Sequence, residues 1–231
     1  MIFFDLDGTL FDFQHAEGRG IERILEQFST SGSMDANAFQ KDWRDVGNKH
    51  FSLYLQGVKS FDAQQEGRMV ELFSRYGKTL SKVDARQIFA AYLQEFKAHG
   101  RLFGDVMPCL QALRGHDRLG IISNGNGGQQ RDKLKTLGIL DFFEVVAISD
   151  ERGVSKPDPD IFRWAVAEAG STFSDCALVG DSLYHDVYPS AELGMRAVWI
   201  HRGGDDAPPP GNIPVIDSLE ALPALLFGTR A

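Results

Sequence analysis

Apolar residues between positions 16 and 100 recur three and four places apart, the spacing that lines one face of a helix. Four successive stretches carry the pattern, at residues 21–28, 39–55, 69–73 and 88–96. No run of strand-forming residues interrupts them. This part of the chain is therefore predicted to be all-helical.

The pattern changes near residue 106, where short apolar runs begin to alternate with helical periods. Strands are predicted at 119–123, 144–148, 177–179, 197–200 and 215–216, and helices at 106–115, 128–137, 158–169, 186–193 and 219–227. Such alternation is typical of a parallel sheet with crossover helices. The apolar run at 2–4 needs that sheet as its partner. We therefore predict an α/β core of residues 1–14 and 102–231, with an all-α domain of residues 15–101 inserted after the first strand.

Composition and charge narrow the possible functions. The 231-residue chain is 43% hydrophobic, which is ample for a packed core, and its net charge is −8 with no basic run. Neither nucleic acid nor a membrane is therefore an expected partner. Cys109 and Cys176 fit buried reduced thiols. With no cationic leader and no apolar run of transmembrane length, we expect a cytoplasmic protein. The stretch 203–211, rich in Gly and Pro, is predicted to be a surface loop.

Two carboxylates and a glycine, Asp5, Asp7 and Gly8, follow the first predicted strand. Ligands of open parallel sheets bind at the carboxyl ends of the strands, so both carboxylates are placed to meet one. The turn at Gly8 can bring them to one pocket, with one facing a metal and the other facing the substrate. The alternative is a solvated turn, because Asp and Gly are common in turns.

A second polar group ends the strand at 119–123. Ser123, Asn124 and Gly125 offer a hydroxyl and backbone amides where a helix begins, so they are candidate residues for binding an anionic substrate. An ordinary strand-to-helix turn is the alternative. The glycines here lack the last position of a dinucleotide fingerprint, where Gln130 stands, and no Walker-type motif occurs. Neither nucleotide-binding fold is expected.

Three further charged residues lie near later strand ends. Lys156 stands on a loop that two prolines make rigid, which favours a binding role over a solvated one. Asp181 and Asp186 follow the strand at 177–179. Several carboxylates at one sheet edge repel each other unless a cation is present, and such oxygen ligands suit Mg²⁺. His185 has no second His or Cys at ligand spacing, so we interpret it as a surface or supporting residue.

Four motifs occur in a fixed order: DLDGTL at 5–10, ISNG at 122–125, SKPDPDIF at 155–162 and GDSLYHDV at 180–187. Together they resemble the four motifs of the haloacid dehalogenase superfamily of phosphohydrolases. The helical insertion after the first strand is similar to the helical cap of that superfamily. The resemblance implies a Rossmann-like parallel sheet core carrying an inserted helical cap.

The resemblance also implies a role for each matched residue. Asp5 would be the nucleophile that becomes an aspartyl phosphate. Asp7 would protonate the leaving oxygen and then activate the water that cleaves the intermediate. Ser123 and Lys156 would bind the transferring phosphoryl group. Phosphoryl transfer depends mainly on such positioning and charge neutralisation.

Mg²⁺ is the cofactor that the resemblance implies. An oxygen of Asp5, the backbone carbonyl of Asp7 and Asp181 would hold it, and Asp186 would orient a metal-bound water. Asp7 also favours a phosphate substrate, because the dehalogenases of the superfamily lack this second aspartate. A sugar-phosphate or phosphoglycolate phosphatase and a phosphomutase stay as alternatives, and a haloacid dehalogenase is a weaker one.

The segment 48–57, with Arg68, is similar to the cap of bacterial nucleotidases that act on pyrimidine nucleoside monophosphates. It is less close to phosphoglycolate and N-acylneuraminate phosphatases, and Phe51 stands where the nucleotidases have Trp. We expect His50, Tyr54 and Arg68 to contact the leaving group of a small phosphorylated metabolite. Helix packing is the alternative for the aromatic residues. We expect a monomer or homodimer, and the other possible classes are a binding protein without turnover and an interaction module.

Overall fold

The computed structural model describes residues 1–28, 35–203 and 211–228. The chain divides into two compact units, which we call the core unit (Met1–Asp12 and Arg101–Ala231) and the helical unit (Phe13–Gly100). Each boundary lies one or two residues before the predicted one. At the first boundary, Phe13 and Gln14 already belong to the first helix of the helical unit.

The core unit is built on a six-stranded sheet in which every neighbouring pair of strands is parallel. Its strands are β1 (Ile2–Phe4), β2 (Leu119–Ser123), β3 (Phe143–Ile148), β4 (Ala177–Gly180), β5 (Arg196–Ile200) and β6 (Val215–Ile216). Their spatial order is β3-β2-β1-β4-β5-β6, the order of a Rossmann-type sheet. This confirms the predicted fold class. The direction of strand addition changes between β1 and β4, so the ligand-binding crevice is expected at the carboxyl ends of these strands.

Short helices connect the strands of the core unit. They are α5 (Val106–Arg114), α6 (Gly127–Thr136), α7 (Ser149–Arg152), α8 (Pro159–Glu168), α9 (Tyr188–Glu192) and α10 (Leu222–Phe227). The single helix predicted at 186–193 is wrong in detail, because a π-helical turn at Leu183–Val187 precedes α9. The sequence also misses α7, a single turn in which only Ser149 is buried. The predicted loop at 203–211 falls largely outside the described residues.

One face of the sheet packs against α8. Phe3 of β1, Ile122 of β2 and Val145 of β3 share a buried cluster with Ile161 and Phe162 of α8. Burying a side chain of this size contributes about 1.5–3 kcal/mol. The cluster fixes the strands whose carboxyl ends carry the polar motifs.

A partly buried ion pair joins the C-terminal part of the core unit to its first loop. Arg202 donates from both terminal nitrogens to Asp105, at 2.9 and 3.0 Å, and also donates to the backbone oxygen of Thr9. Asp105 accepts two more bonds, from the hydroxyl of Ser218 and the backbone N–H of Leu219. Burial opposes ionisation of Asp105, but these donors outweigh it and lower its pKa below the ordinary value.

The described residues of the helical unit form the helices α1 (Phe13–Phe28), α2 (Ala36–Leu55), α3 (Phe61–Arg75) and α4 (Lys82–Ala98). Helix α1 packs chiefly on α4, and α3 packs on both α2 and α4. Asp35, Ser60 and Ser81 cap the amino ends of α2, α3 and α4 with side-chain oxygens. Within the described ranges, no helix is long and apolar enough to cross a membrane.

Candidate active site

The strand order brings three sequence motifs to one edge of the core unit. Asp5 directly follows β1, Ser123 is the last residue of β2, and Asp181 directly follows β4. Because β1 lies between β2 and β4 and all three are parallel, their carboxyl ends meet. The backbone N–H of Asp5 still donates to Val179 of β4, so the sheet itself fixes where this carboxylate begins.

Lys156 is the buried cation of this edge. Its ammonium group donates to Asp5 Oδ1 at 2.6 Å and to Asp186 Oδ1 at 2.5 Å. Lys156 is only 3% exposed, and both carboxylates are buried too. A buried lysine would favour its neutral form, but the charges of Asp186 and Asp5 outweigh this desolvation and raise the pKa of Lys156 above its ordinary value. Lys156 is therefore held as an ammonium ion against the expected nucleophile.

The side chain of Asn124 fixes the backbone of Lys156. Asn124 Oδ1 accepts from the Lys156 N–H at 2.8 Å, and Asn124 Nδ2 donates to the Lys156 carbonyl at 2.9 Å. These two bonds tie the loop after α7 to the end of β2. In this structure the polar atoms of the Asn124 side chain serve to position Lys156.

Asp5, Asp181 and Asp186 form a cluster that can hold a cation, with one oxygen of each within 4.8 Å of the others. Burial raises the pKa of Asp5 well above its ordinary value in spite of Lys156, and the charges of Asp186 and Asp181 act in the same direction. Asp181 is exposed as a residue, but the protein around its carboxyl group and the charge of Asp186 raise its pKa to about 7. A cation would relieve this repulsion, and three hard oxygen donors fit Mg²⁺.

Two glycines allow the carboxylates to lie this close to the backbone. A Cβ atom on Gly8 would lie 2.2 Å from Asp181 Oδ2, and the φ of Gly8 is +89°. A Cβ atom on Gly180 would lie 2.5 Å from the side chain of Asp186. Any larger residue at either position would displace a carboxylate of the cluster.

Ser123 and Gly125 lie beside the cluster with their polar groups engaged. Ser123 is buried, and its Oγ accepts from Gln130 Nε2 at 2.8 Å. The N–H of Gly125 donates to the Ser149 hydroxyl at 2.9 Å, and that hydroxyl donates back to the Gly125 carbonyl at 3.3 Å. Helix α7, which the sequence misses, thus supports the turn after β2.

Asp7 is held by two residues of α6. Gln130 Nε2 donates to Asp7 Oδ2 at 2.8 Å, and the Lys133 ammonium donates to Asp7 Oδ1. Neither contact is predicted from the sequence. One signal could have indicated Gln130: it lies four residues before the buried Leu134, so a polar amide occupies the inward face of α6.

The three expected leaving-group residues belong to the helical unit. His50 is buried in α2, and its Nε2 contacts Glu71 Oε2 and its Nδ1 contacts Lys59 Nζ, both at 2.9 Å. Since a lysine ammonium can only donate, Nδ1 accepts and the ring proton lies on Nε2. Burial lowers the pKa of His50, and the charge of Lys59 adds to this effect.

Arg68 and Tyr54 lie among aromatic rings of the same unit. The Arg68 guanidinium lies 4.0 Å from the centre of the Trp43 ring and 3.7 Å from a carboxylate oxygen of Glu17. The ring of Tyr54 packs against Phe61, with the ring centres 5.3 Å apart. The structure therefore brings the core motifs together in one unit and places His50, Tyr54 and Arg68 in the other.

Comparisons with known proteins identify a family that matches this chain. A family model described as haloacid dehalogenase-like hydrolase matches residues 1–194. The chain is 29% identical over 228 residues to the pyrimidine 5'-nucleotidase YjjG of Escherichia coli, covering 97% of this chain and 96% of the relative. It is 26% identical over 231 residues to the human N-acylneuraminate-9-phosphatase, covering 97% and 92% respectively.

A solved structure shows the same fold. The proposed HAD-hydrolase YfnB from Bacillus subtilis, crystallised with bound magnesium, superimposes with a TM-score of 0.80. The match is 22% identical in sequence and covers 98% of this chain and 97% of the neighbour.

Proposed function

We propose that this chain cleaves a small phosphate monoester through an aspartyl phosphate on Asp5. The chain belongs to the haloacid dehalogenase-like hydrolases. It is a phosphoric monoester hydrolase. The observation that carries this proposal is the Lys156 ammonium, buried between Asp5 and Asp186 at the carboxyl ends of the central strands. A nucleophilic carboxylate beside a fixed positive charge is suited to attack a phosphorus atom.

In the first step an Asp5 oxygen forms a bond to phosphorus while the bond between phosphorus and the leaving oxygen breaks. Asp7 supplies the proton that this oxygen needs to depart as an alcohol. Lys156 and the Ser123 hydroxyl bind the oxygens of the transferring group. Charge on those oxygens is then stabilised by groups that the fold has already oriented.

In the second step a water molecule attacks the phosphorus of the aspartyl phosphate. Asp7, now ionised, takes a proton from that water, and the bond between phosphorus and the Asp5 oxygen breaks. Inorganic phosphate leaves, and Asp5 and Asp7 return to their starting forms. One residue thus acts as acid in one step and as base in the next.

Asp5 and Asp181, with the backbone carbonyl of Asp7, would hold Mg²⁺. Asp186 would orient the site, since its Oδ1 accepts from Lys156 and its Oδ2 from the N–H of Ser182. When bound, the ion supplies positive charge that lowers the repulsion between the carboxylates and the phosphate. The carboxylate cluster supports this assignment, because its donors are all hard oxygen atoms.

We propose a nucleoside 5'-monophosphate as the substrate, with His50, Tyr54 and Arg68 in the unit that selects it. The support is the match to the pyrimidine 5'-nucleotidase, which extends over 97% of this chain and therefore through the helical unit. A sugar phosphate is the second candidate, because the match to N-acylneuraminate-9-phosphatase covers the same share of the chain.

The test is a hydrolysis assay of the full chain with p-nitrophenyl phosphate, followed by nucleoside monophosphates and sugar phosphates. We expect turnover that needs Mg²⁺, stops with EDTA and returns when excess Mg²⁺ is added. Asp5→Asn should abolish it, whereas Asp132→Asn, the same change at an exposed position of α6, should not. Turnover by Asp5→Asn would overturn the covalent mechanism, and equal rates with and without EDTA would overturn the metal assignment.

A further inference from the structure

We propose that Gln130 and Lys133, on one face of α6, are positioning residues that fix the carboxylate of Asp7 for proton transfer. The inference rests on the proposed function, in which Asp7 is the acid and base. It adds two residues that lie outside the four motifs, and it assigns a task to each of them.

Lys133 holds one oxygen of Asp7. Its ammonium group donates to Asp7 Oδ1 and lies 4.6 Å from the centre of the Phe11 ring. The Lys133 side chain is only 13% exposed, so it is packed against the protein and does not extend into solvent. Ordering a long side chain in this way costs conformational entropy, which the contact with Asp7 and the aromatic ring must offset. Lys135, two residues later on the same helix, is exposed.

Gln130 holds the other oxygen of Asp7 and links it to the phosphate-binding motif. Its Nε2 lies 2.8 Å from Asp7 Oδ2, 2.8 Å from Ser123 Oγ and 3.2 Å from the Asn124 carbonyl. A carboxylate and a carbonyl can only accept, so the NH₂ end of the amide must face them. The Ser123 oxygen accepts from Gln130, and the Ser123 hydroxyl makes only a long bond of its own, to the Asn124 carbonyl at 3.4 Å.

Asp7 needs this support because it does not lie on a regular element. It follows β1 in a turn, next to Gly8, and its side chain is 28% exposed. A proton acceptor or donor must lie about 2.6–3.2 Å from its partner, and a displacement of about 1 Å lowers the rate by about a hundredfold. With both oxygens bound from α6, the carboxylate has one orientation relative to Ser123.

The experiment compares leaving groups. A simple alkyl phosphate depends on protonation of its leaving oxygen, whereas p-nitrophenyl phosphate has a good leaving group and depends on it little. Lys133→Met should therefore lower kcat/KM for the alkyl phosphate about tenfold or more, with a change of less than about threefold for p-nitrophenyl phosphate. Gln130→Met also removes a bond to Ser123, so it should lower kcat/KM for both substrates, with a loss about tenfold larger for the alkyl phosphate. Lys135→Met, the same chemical change on the exposed side of α6, should change neither.

A double-mutant cycle separates positioning from a structural effect. In the Asp7→Asn background the acid is absent, so Lys133→Met should cause no further loss with the alkyl phosphate. If both α6 variants lower the two substrates by the same factor, or lower neither, the positioning role is overturned while the hydrolase function stands. If wild type and Lys135→Met hydrolyse no phosphate monoester, the proposed function itself fails. Should Lys133→Met not fold, Gln130→Met carries the same comparison.

Discussion

Removing the ammonium group of Lys156 should destabilise the core unit as well as stop the reaction. Lys156→Met keeps most of the side-chain volume but leaves Asp5 and Asp186 facing each other without the cation that both now contact. Breaking a buried ion pair by removing one partner costs about 3–5 kcal/mol. We expect about 3 kcal/mol here, because a carboxylate in this position can take up a proton instead of staying charged.

The size of the effect follows from burial. Lys156 makes two charge-assisted hydrogen bonds, of 2.5 and 2.6 Å, and all three residues are buried. For a chain of this length, about 3 kcal/mol corresponds to a fall in Tm of about 6–12 °C. Arg163→Met is the matched control, because Arg163 makes a similarly short ion pair with Asp160, of 2.7 Å, but both side chains are exposed. Such a surface pair contributes about 0.2–1 kcal/mol.

The assay is unfolding in urea and by heat, followed by circular dichroism, in buffer with EDTA so that no metal replaces the lost charge. The free energy of unfolding and Tm should fall for Lys156→Met and stay near wild type for Arg163→Met. Equal small changes in the two variants would refute the reasoning, since they would mean that the buried ammonium contributes no more than a surface one. Hydrolysis of p-nitrophenyl phosphate should be lost in Lys156→Met alone.

Three further predictions follow from the pKa shifts. Asp181→Asn should raise Tm in EDTA and abolish hydrolysis. The pKa of Asp181 is raised to about 7, so the negative charge of this side chain opposes folding at neutral pH. A lower Tm for the variant would contradict this reasoning. The pKa of Asp105 is lowered in the folded protein, so its ionised side chain stabilises the fold. This stabilisation is complete above the pKa in the unfolded chain, about 3.9, and is lost as pH falls through the lower pKa in the folded protein. Asp105→Asn should therefore be less stable at pH 7 and show a smaller loss on acidification, measured by urea unfolding at several pH values. His50 also has a lowered pKa, so the helical unit should lose stability as pH falls below about 6.5, and His50→Gln should remove that part of the pH dependence.

The fold could be predicted from the sequence to the extent that its signals are local. The uninterrupted apolar run at β1 and the alternation after residue 106 predict the parallel sheet, and the structure confirms it. The sequence does not predict helix α7, because its four residues show no periodicity. Its Ser149 hydroxyl accepts from the N–H of Gly125, which lies 24 residues earlier in the chain. The π-helical turn before α9 is similarly stabilised by a polar contact, in which the Ser182 hydroxyl oxygen accepts from the His185 N–H, and the apolar pattern does not reveal such a bond.

The residues of the candidate site also differ in whether a local sequence signal indicates them. Asp5 and Asp181 directly follow strands, and Lys156 lies beside a proline on the loop between α7 and α8, so each motif can be found by itself. Gln130 and Lys133 can be connected to Asp7 only through the folded chain, because 123 and 126 residues separate them from it. On a helix as polar as α6, an inward-facing lysine has the same local sequence signature as a solvated one.

The charges at the carboxyl ends of the central strands explain why this site suits a divalent cation. Three ionised carboxylates, Asp5, Asp181 and Asp186, and one ammonium, Lys156, leave two negative charges. Without a metal the site reduces this excess by favouring protonation, as the raised pKa values of Asp5 and Asp181 indicate. One divalent cation makes the site neutral, whereas a monovalent one would leave it repelling a phosphate dianion. The carboxylates that make the protein less stable without metal are therefore the groups that would bind a divalent cation. With that cation bound, the site would no longer repel the phosphate monoester that the hydrolase must bind.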